Sequence, residues 1–132
     1  MAAKSVWAAL TAATLLMGCG GPGGEIGLRE TGAGRTTMVS ADPVPMAECM
    51  KDALERKEWG YIRATFPPRL SLLPHRDEAK LTADGNGGLQ YLIDIVDKGD
   101  QSQVEVYAGR LGFMYSADEM ADVLVEMLDD CQ

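Results

Sequence analysis

Few residues in this chain are of types that do chemistry, and their spacing limits what they could do. His75 is the only histidine and sits in the polar run PHRDE at 74–78. A zinc site or a nucleophile–histidine–acid triad needs further ligands or a nucleophile placed with the imidazole. The sequence supplies neither, so His75 reads as a surface residue. The run DGNGG at 84–88 puts Asp84 and Asn86 at the first and third positions of a calcium loop. Gly88, Leu89 and Ile95 then stand where an oxygen donor, a glycine and a glutamate are required. No lysine follows to complete a phosphate loop. A turn between two strands explains the run better, because Asp, Asn and Gly accept positive φ. No catalytic residue, cofactor or metal ion is expected.

The carboxylates are many but scattered. Asp94 and Asp97 fall on opposite faces of a strand and cannot act there as a pair. Asp118, Glu119, Asp122, Glu126, Asp129 and Asp130 form an acidic set near the C-terminus. The first three suit the N-terminal end of a helix dipole, whereas Asp129 and Asp130 oppose it at the other end. The plain reading is a solvated face. The sharper one is a docking surface for a basic partner, with Asp118, Asp122 and Glu126 as the contacts, or a weak cation site. Trp59, Tyr61, Tyr91, Tyr107 and Tyr115 could line a groove, although packing in and around a small core is the more frequent use.

The chain has 132 residues, a one-domain length, with 20 Asp+Glu against 12 Lys+Arg and a net charge of -8. An acidic chain argues against nucleic-acid binding. It also gains no attraction to anionic lipid head groups, so membrane contact has to come from elsewhere.

The opening MAAKSVWAALTAATLLMGC supplies such a contact. Lys4 gives a positive n-region, and Ser5 to Met17 is a stretch of 13 residues without charge. As a helix it would span about 20 Å, short of the ~30 Å hydrocarbon core. Leu16-Met17-Gly18-Cys19 resembles the lipobox of bacterial lipoproteins, with Leu three residues before the Cys and Gly directly before it. The resemblance covers the first 19 residues, and Met17 is an uncommon second residue. It implies cleavage before Cys19, acylation of that residue and an anchor in the lipid bilayer. Two or three acyl chains suffice for stable attachment where one is marginal. Gly20 stands where that family's common inner-membrane retention signal has Asp, which points to the outer membrane, facing the periplasm. With Cys19 so used, Cys49 and Cys131 remain, and an oxidising periplasm is expected to join them. The alternative is two buried free thiols.

Positions 20–45 are rich in glycine and proline and lack a hydrophobic period. They read as a flexible tether between lipid and domain, with an ordered arm laid on the domain as the alternative. From Met46 the apolar residues at 46, 49, 50, 53 and 54 follow a helical period. The stretches 61–66, 78–84, 88–97 and 103–111 read as strands. The last two form a hairpin through 98–102, and 78–84 precedes them in a meander. The second face of 88–97 is partly apolar, as in a central strand whose second face is partly covered. Ser116 and Glu119 have capping-box spacing ahead of a helical repeat from Met120 to Cys131.

The predicted fold class is therefore α+β: a helix, a three- or four-stranded antiparallel sheet and a helix, with both helices on one sheet face. Residues 1–18 are the signal peptide, 19–45 the lipidated Cys and tether, and 46–132 the domain. Helices side by side would bring Cys49 and Cys131 within bonding reach. That link closes a loop of about 80 residues and is worth about 4 kcal/mol in the chain-entropy model. The order of elements also resembles that of small proteobacterial envelope lipoproteins without a described activity. They share a helix Cys, a Gly-containing strand turn and a terminal helix Cys. The expected function is a non-catalytic interaction or accessory module of the cell envelope that binds an envelope protein partner. A periplasmic small-ligand-binding protein or minor hydrolase is the alternative.

Overall fold

A five-stranded antiparallel sheet organises the molecule. The computed structural model describes residues 24–59, 67–73, 77–85, 88–111 and 115–132. In chain order these form α1 (Glu25–Thr31), β1 (Ala33–Val39), α2 (Pro43–Arg56), β2 (Arg69–Leu73), β3 (Glu78–Gly85), β4 (Gly88–Asp97), β5 (Ser102–Ala108) and α3 (Ala117–Asp130). The strand order is β1-β5-β4-β3-β2, so the first strand returns to pair with the last. The class is α+β, as expected, with one helix and at least one strand more than expected.

The meander β3–β4–β5 is the part that alternation made plain. Leu81 faces Ile93, Ile93 faces Val106, and Ile95 faces Val104 across the ladders. With Ala79, Ala83, Tyr91 and Ala108 these side chains are fully buried. They form the sheet's half of the main core. The β3–β4 hairpin closes on Gly85 opposite Gly88, where Gly88 has φ 119°. That positive φ is the conformation for which the glycine-rich run was read as a turn. The β4–β5 turn is tied by Lys98 N–H donating to the Gln101 carbonyl and Gly99 N–H donating to Asp97 Oδ1.

Two helices supply the other half of that core. On α2, Met46, Ala47, Met50 and Leu54 are buried, and Pro43 occupies the first turn, where its missing N–H costs nothing. On α3, Met120, Ala121, Leu124 and Leu128 are buried. Ser116 caps α3: its Oγ accepts from Glu119 N–H at 3.2 Å, the first half of a capping box, and donates to Glu119 Oε1 at 3.2 Å, a contact between side chains in place of the reciprocal backbone bond. The two helices touch each other and lie on the same sheet face, α2 over β2, β3 and β4, and α3 over β1 and β5.

Cys49 and Cys131 are disulfide-bonded, with their Cα atoms 5.9 Å apart and a sequence separation of 82. The position of Cys49 corrects the expectation that it lies on the buried stripe of its helix, whereas Cys131 does pack against the core. Cys49 is exposed and Cys131 half-buried, because the α2 stripe runs through 43, 46, 47, 50 and 54. The bond therefore joins the two helices at the edge of the core, with Cys49 on its outer side.

The second correction concerns the segment read as tether. From residue 25 it forms α1 and the edge strand β1, so the ordered-arm alternative describes 25–39 better than a free linker does. Val39 is fully buried, and Ser102 Oγ donates to the Ala41 carbonyl at 2.6 Å, which locks the segment onto β5. The strand β2 at 69–73 was also not expected. The expected strand at 61–66, His75, Asn86, Cys19 and the leader all lie outside the described residues.

Candidate interaction surfaces

The sheet has a second face, and α1 crosses it over β4 and β5. Leu28 of α1 and Leu92 of β4 are buried on this side, apart from the main core. This is the partial cover that the apolar second face of β4 called for. Around the two leucines the face is charged. Arg29 lies 3.3 Å from Glu25, 3.3 Å from Glu105 and 3.4 Å from Asp94, and its guanidinium stacks 5.0 Å from the centre of the Tyr107 ring. Lys80 reaches Glu25 at 2.8 Å. This bond, with Arg29 adding to it, holds the Glu25 carboxyl below its ordinary value.

Asp94 is shifted the other way. Burial, together with the neighbouring Glu78 carboxyl, pushes its pKa up to about 6 against the pull of Lys80 and Arg29. Its side chain is 13% exposed, and Oδ1 is buried without a hydrogen-bond partner among the described residues. The ladder places Asp97 on the opposite face from Asp94, as expected. The actual neighbours of Asp94 come from elements 65 and 11 residues away in sequence, Arg29 and Glu105. The one available signal was an acidic residue alternating with Leu92 and Val96 on a strand face too apolar to stay bare.

The acidic helix face has a defined geometry. Arg35 of β1 reaches Asp118 at 3.1 Å and Asp122 at 3.2 Å. Two of the three carboxylates named as a docking surface thus already share a cation within the fold. Glu126 is exposed and forms no ion pair among the described residues. Sequence spacing could not reveal Arg35, because it lies in the segment read as tether. The aromatic candidates divide likewise. Tyr91 and Trp59 are buried in the core, Tyr115 packs edge-on to Trp59 at 6.1 Å, and Tyr107 serves Arg29.

A groove of about 480 Å³ opens at one end of the sheet, between the start of α2 and the ends of β2, β3 and β4. Pro43, Val44, Pro45 and Leu72 give it an apolar lining, and Asp42, Asp77, Glu78 and Asp97 are its acidic groups. Asp77 has φ 46°, a left-handed conformation that Asp tolerates better than most residues, and its carbonyl accepts from Asp97 N–H at 3.0 Å. That bond holds two of the carboxylate-bearing residues together. Among the described residues no group of three His, Cys, Asp or Glu side chains is arranged to hold a metal ion. No helix among them is long and apolar enough to cross a membrane.

No protein-family model matches the sequence, and no curated protein is detectably similar to it.

Proposed function

We propose that the chain is a lipid-anchored envelope protein whose α+β domain is a non-catalytic interaction module, held at the periplasmic side of the outer membrane through acylated Cys19. The observation that carries the reading is the pairing of two features. Leu16-Met17-Gly18-Cys19 supplies an acylation motif, and downstream the two remaining cysteines of the chain are bonded to each other. A disulfide suits an oxidising compartment, the destination such a leader implies. With α1 beginning at Glu25, only a few residues separate Cys19 from the first helix. The sheet would then be held close to the bilayer, not on a long linker.

Membrane fractionation of a Cys19→Ser variant tests the anchor. The variant is expected in the soluble fraction or as uncleaved precursor, and membrane retention identical to the wild type would refute the anchor. Cross-linking of the lipidated protein in its membrane, followed by mass spectrometry, tests the module. One reproducible envelope partner is expected, and repeated capture of none would count against it. The second reading, a periplasmic small-ligand carrier or minor hydrolase, is favoured by one observation only, the groove beside α2, whose volume is within the range of small-molecule sites.

A further inference from the structure

Among the described residues, the groove differs in its charge balance from the acidic clusters around Arg29 and Arg35. Glu25, Asp94 and Glu105 share Arg29, Asp118 and Asp122 share Arg35, and Asp84 has Arg69. Asp42, Asp77, Glu78 and Asp97 form no ion pair among the described residues. The bond from Gly99 N–H to Asp97 Oδ1 orients that carboxylate without neutralising it. The N-terminus of α2 offsets part of the field. Among the described residues Asp42, Asp77 and Asp97 have no cation beside them, and Glu78 stands between the groove and Asp94. Like charges in a concavity with apolar walls focus a negative potential that concentrates positive groups.

The lining adds a second requirement. Val44 is 41% exposed and Leu72 45% exposed, two of the four large hydrophobic side chains that remain open to solvent among the described residues. A small hydrated cation would leave them wet, whereas an aliphatic group flanked by cations would cover them. The third feature is the strand that carries Leu72. β2 ends the sheet, and no described strand pairs with its outer side. An extended chain laid there could use the unpaired backbone groups.

We propose that this groove docks a short, extended, basic peptide segment of a partner protein. An aliphatic side chain of the segment covers Leu72 and Val44, and its flanking lysines or arginines face Asp42, Asp77, Glu78 and Asp97. The proposal rests on the reading of the domain as an interaction module and names the chemistry of its partner. It does not depend on the lipid anchor.

The test is fluorescence anisotropy of a labelled Lys-Leu-Lys-Leu-Lys peptide with the full 132-residue chain in nonionic detergent. Two variants probe the groove. Asp42→Asn/Asp77→Asn removes two charges at constant shape: Asp42 makes no side-chain capping bond, and Asn accepts the positive φ at 77. Leu72→Ser changes an exposed side chain, so neither variant threatens the fold. The wild type is expected to bind the peptide, and to bind it more weakly as salt rises. Each variant is expected to lose about tenfold in affinity. Peptides with Glu for Lys, or Ser for Leu, should not bind.

Unchanged affinity in both variants would overturn the groove as the site while leaving the interaction-module reading in place. No binding of the basic peptide to the wild type would overturn the peptide class. If free spermidine bound as tightly as the peptide, and with no need for leucine, the groove would be a polyamine site and the proposal would fall. The module reading itself fails on a different result, repeated absence of a partner in membrane cross-linking.

Discussion

Arg29 Nη2 lies 3.4 Å from Asp94 Oδ2, joining the short N-terminal helix to the central strand across 65 residues of sequence. The carboxylate pays for this position: its other oxygen is buried without a partner, and its pKa is raised from 3.8 to about 6. Between those two values the folded state holds a proton that the unfolded state has released. The contribution of Asp94 to stability is therefore full below about pH 4 and is lost as pH rises through 6.

Replacing Asp94 by Asn should remove that dependence. At pH 7.5 the variant is expected to be more stable than the wild type by about 1–2 kcal/mol, after allowance for partial solvation of the site. Near pH 4 the two should coincide. Urea unfolding at a series of pH values measures the difference. A variant less stable at pH 7.5 would mean that the ion pair with Arg29 outweighs the burial.

Glu25 has the opposite sign. Its pKa is lowered, so its contribution is present above the unfolded value of 4.5 and disappears as pH falls through the folded one. Glu25→Gln should weaken the attachment of α1 at neutral pH and have little effect in acid. Amide hydrogen exchange in 25–31 is the appropriate readout, since local opening of α1 need not alter global unfolding.

The disulfide sits at the edge of the core, with Cys49 exposed and Cys131 half-buried, so its loss removes little packing. Reduction, or a Cys49→Ala/Cys131→Ala double variant, should cost up to about 4–5 kcal/mol by the loop-closure argument for a separation of 82. The two treatments should agree closely. A much larger loss in the alanine variant than on reduction would show that the sulfur atoms contribute to packing.

Gly32 joins α1 to β1 where no side chain fits. A Cβ there would stand 2.6 Å from the Leu28 carbonyl oxygen and 2.8 Å from that of Ala108, both backbone atoms that cannot swing aside. Gly32→Ala is expected to destabilise the protein by about 1–3 kcal/mol. At Gly34 the nearest atom belongs to the Tyr107 ring at 3.2 Å, a longer approach and to a side chain instead of to backbone, so Gly34→Ala should cost less. Comparing the melting temperatures of the two variants tests whether the 25–39 segment is structural, which a free tether would not be.

The same segment shows where sequence reasoning stopped. Alternation made β3, β4 and β5 legible because Leu81, Ile93, Ile95, Val104 and Val106 all face one core. The capping box at Ser116 and the prolines before Met46 made the two long helices legible from local signals. The strand β1 was hidden because its core-facing positions include Arg35 and Thr37, and its seven residues follow a glycine-rich run. Its strand character comes mainly from pairing with β5. The strand β2, five residues just after Pro67-Pro68, is set in the same way by its pairing with β3.

The sequence by itself determined the local features: the Leu-Met-Gly-Cys run at 16–19, the cap at Ser116, the proline start of α2 and the two-residue period of the meander. These depend on neighbours a few residues apart. Only the tertiary structure decided that 25–39 closes the sheet, that Arg35 holds Asp118 and Asp122, and that Arg29 gathers three carboxylates. It also decided that four other carboxylates gather around Leu72 and Val44. Each of these relationships joins residues far apart in the chain. Apart from the i,i+4 spacing of Glu25 and Arg29, ion pairing carries no period to read in advance, so these partners become known only when the strands come into register.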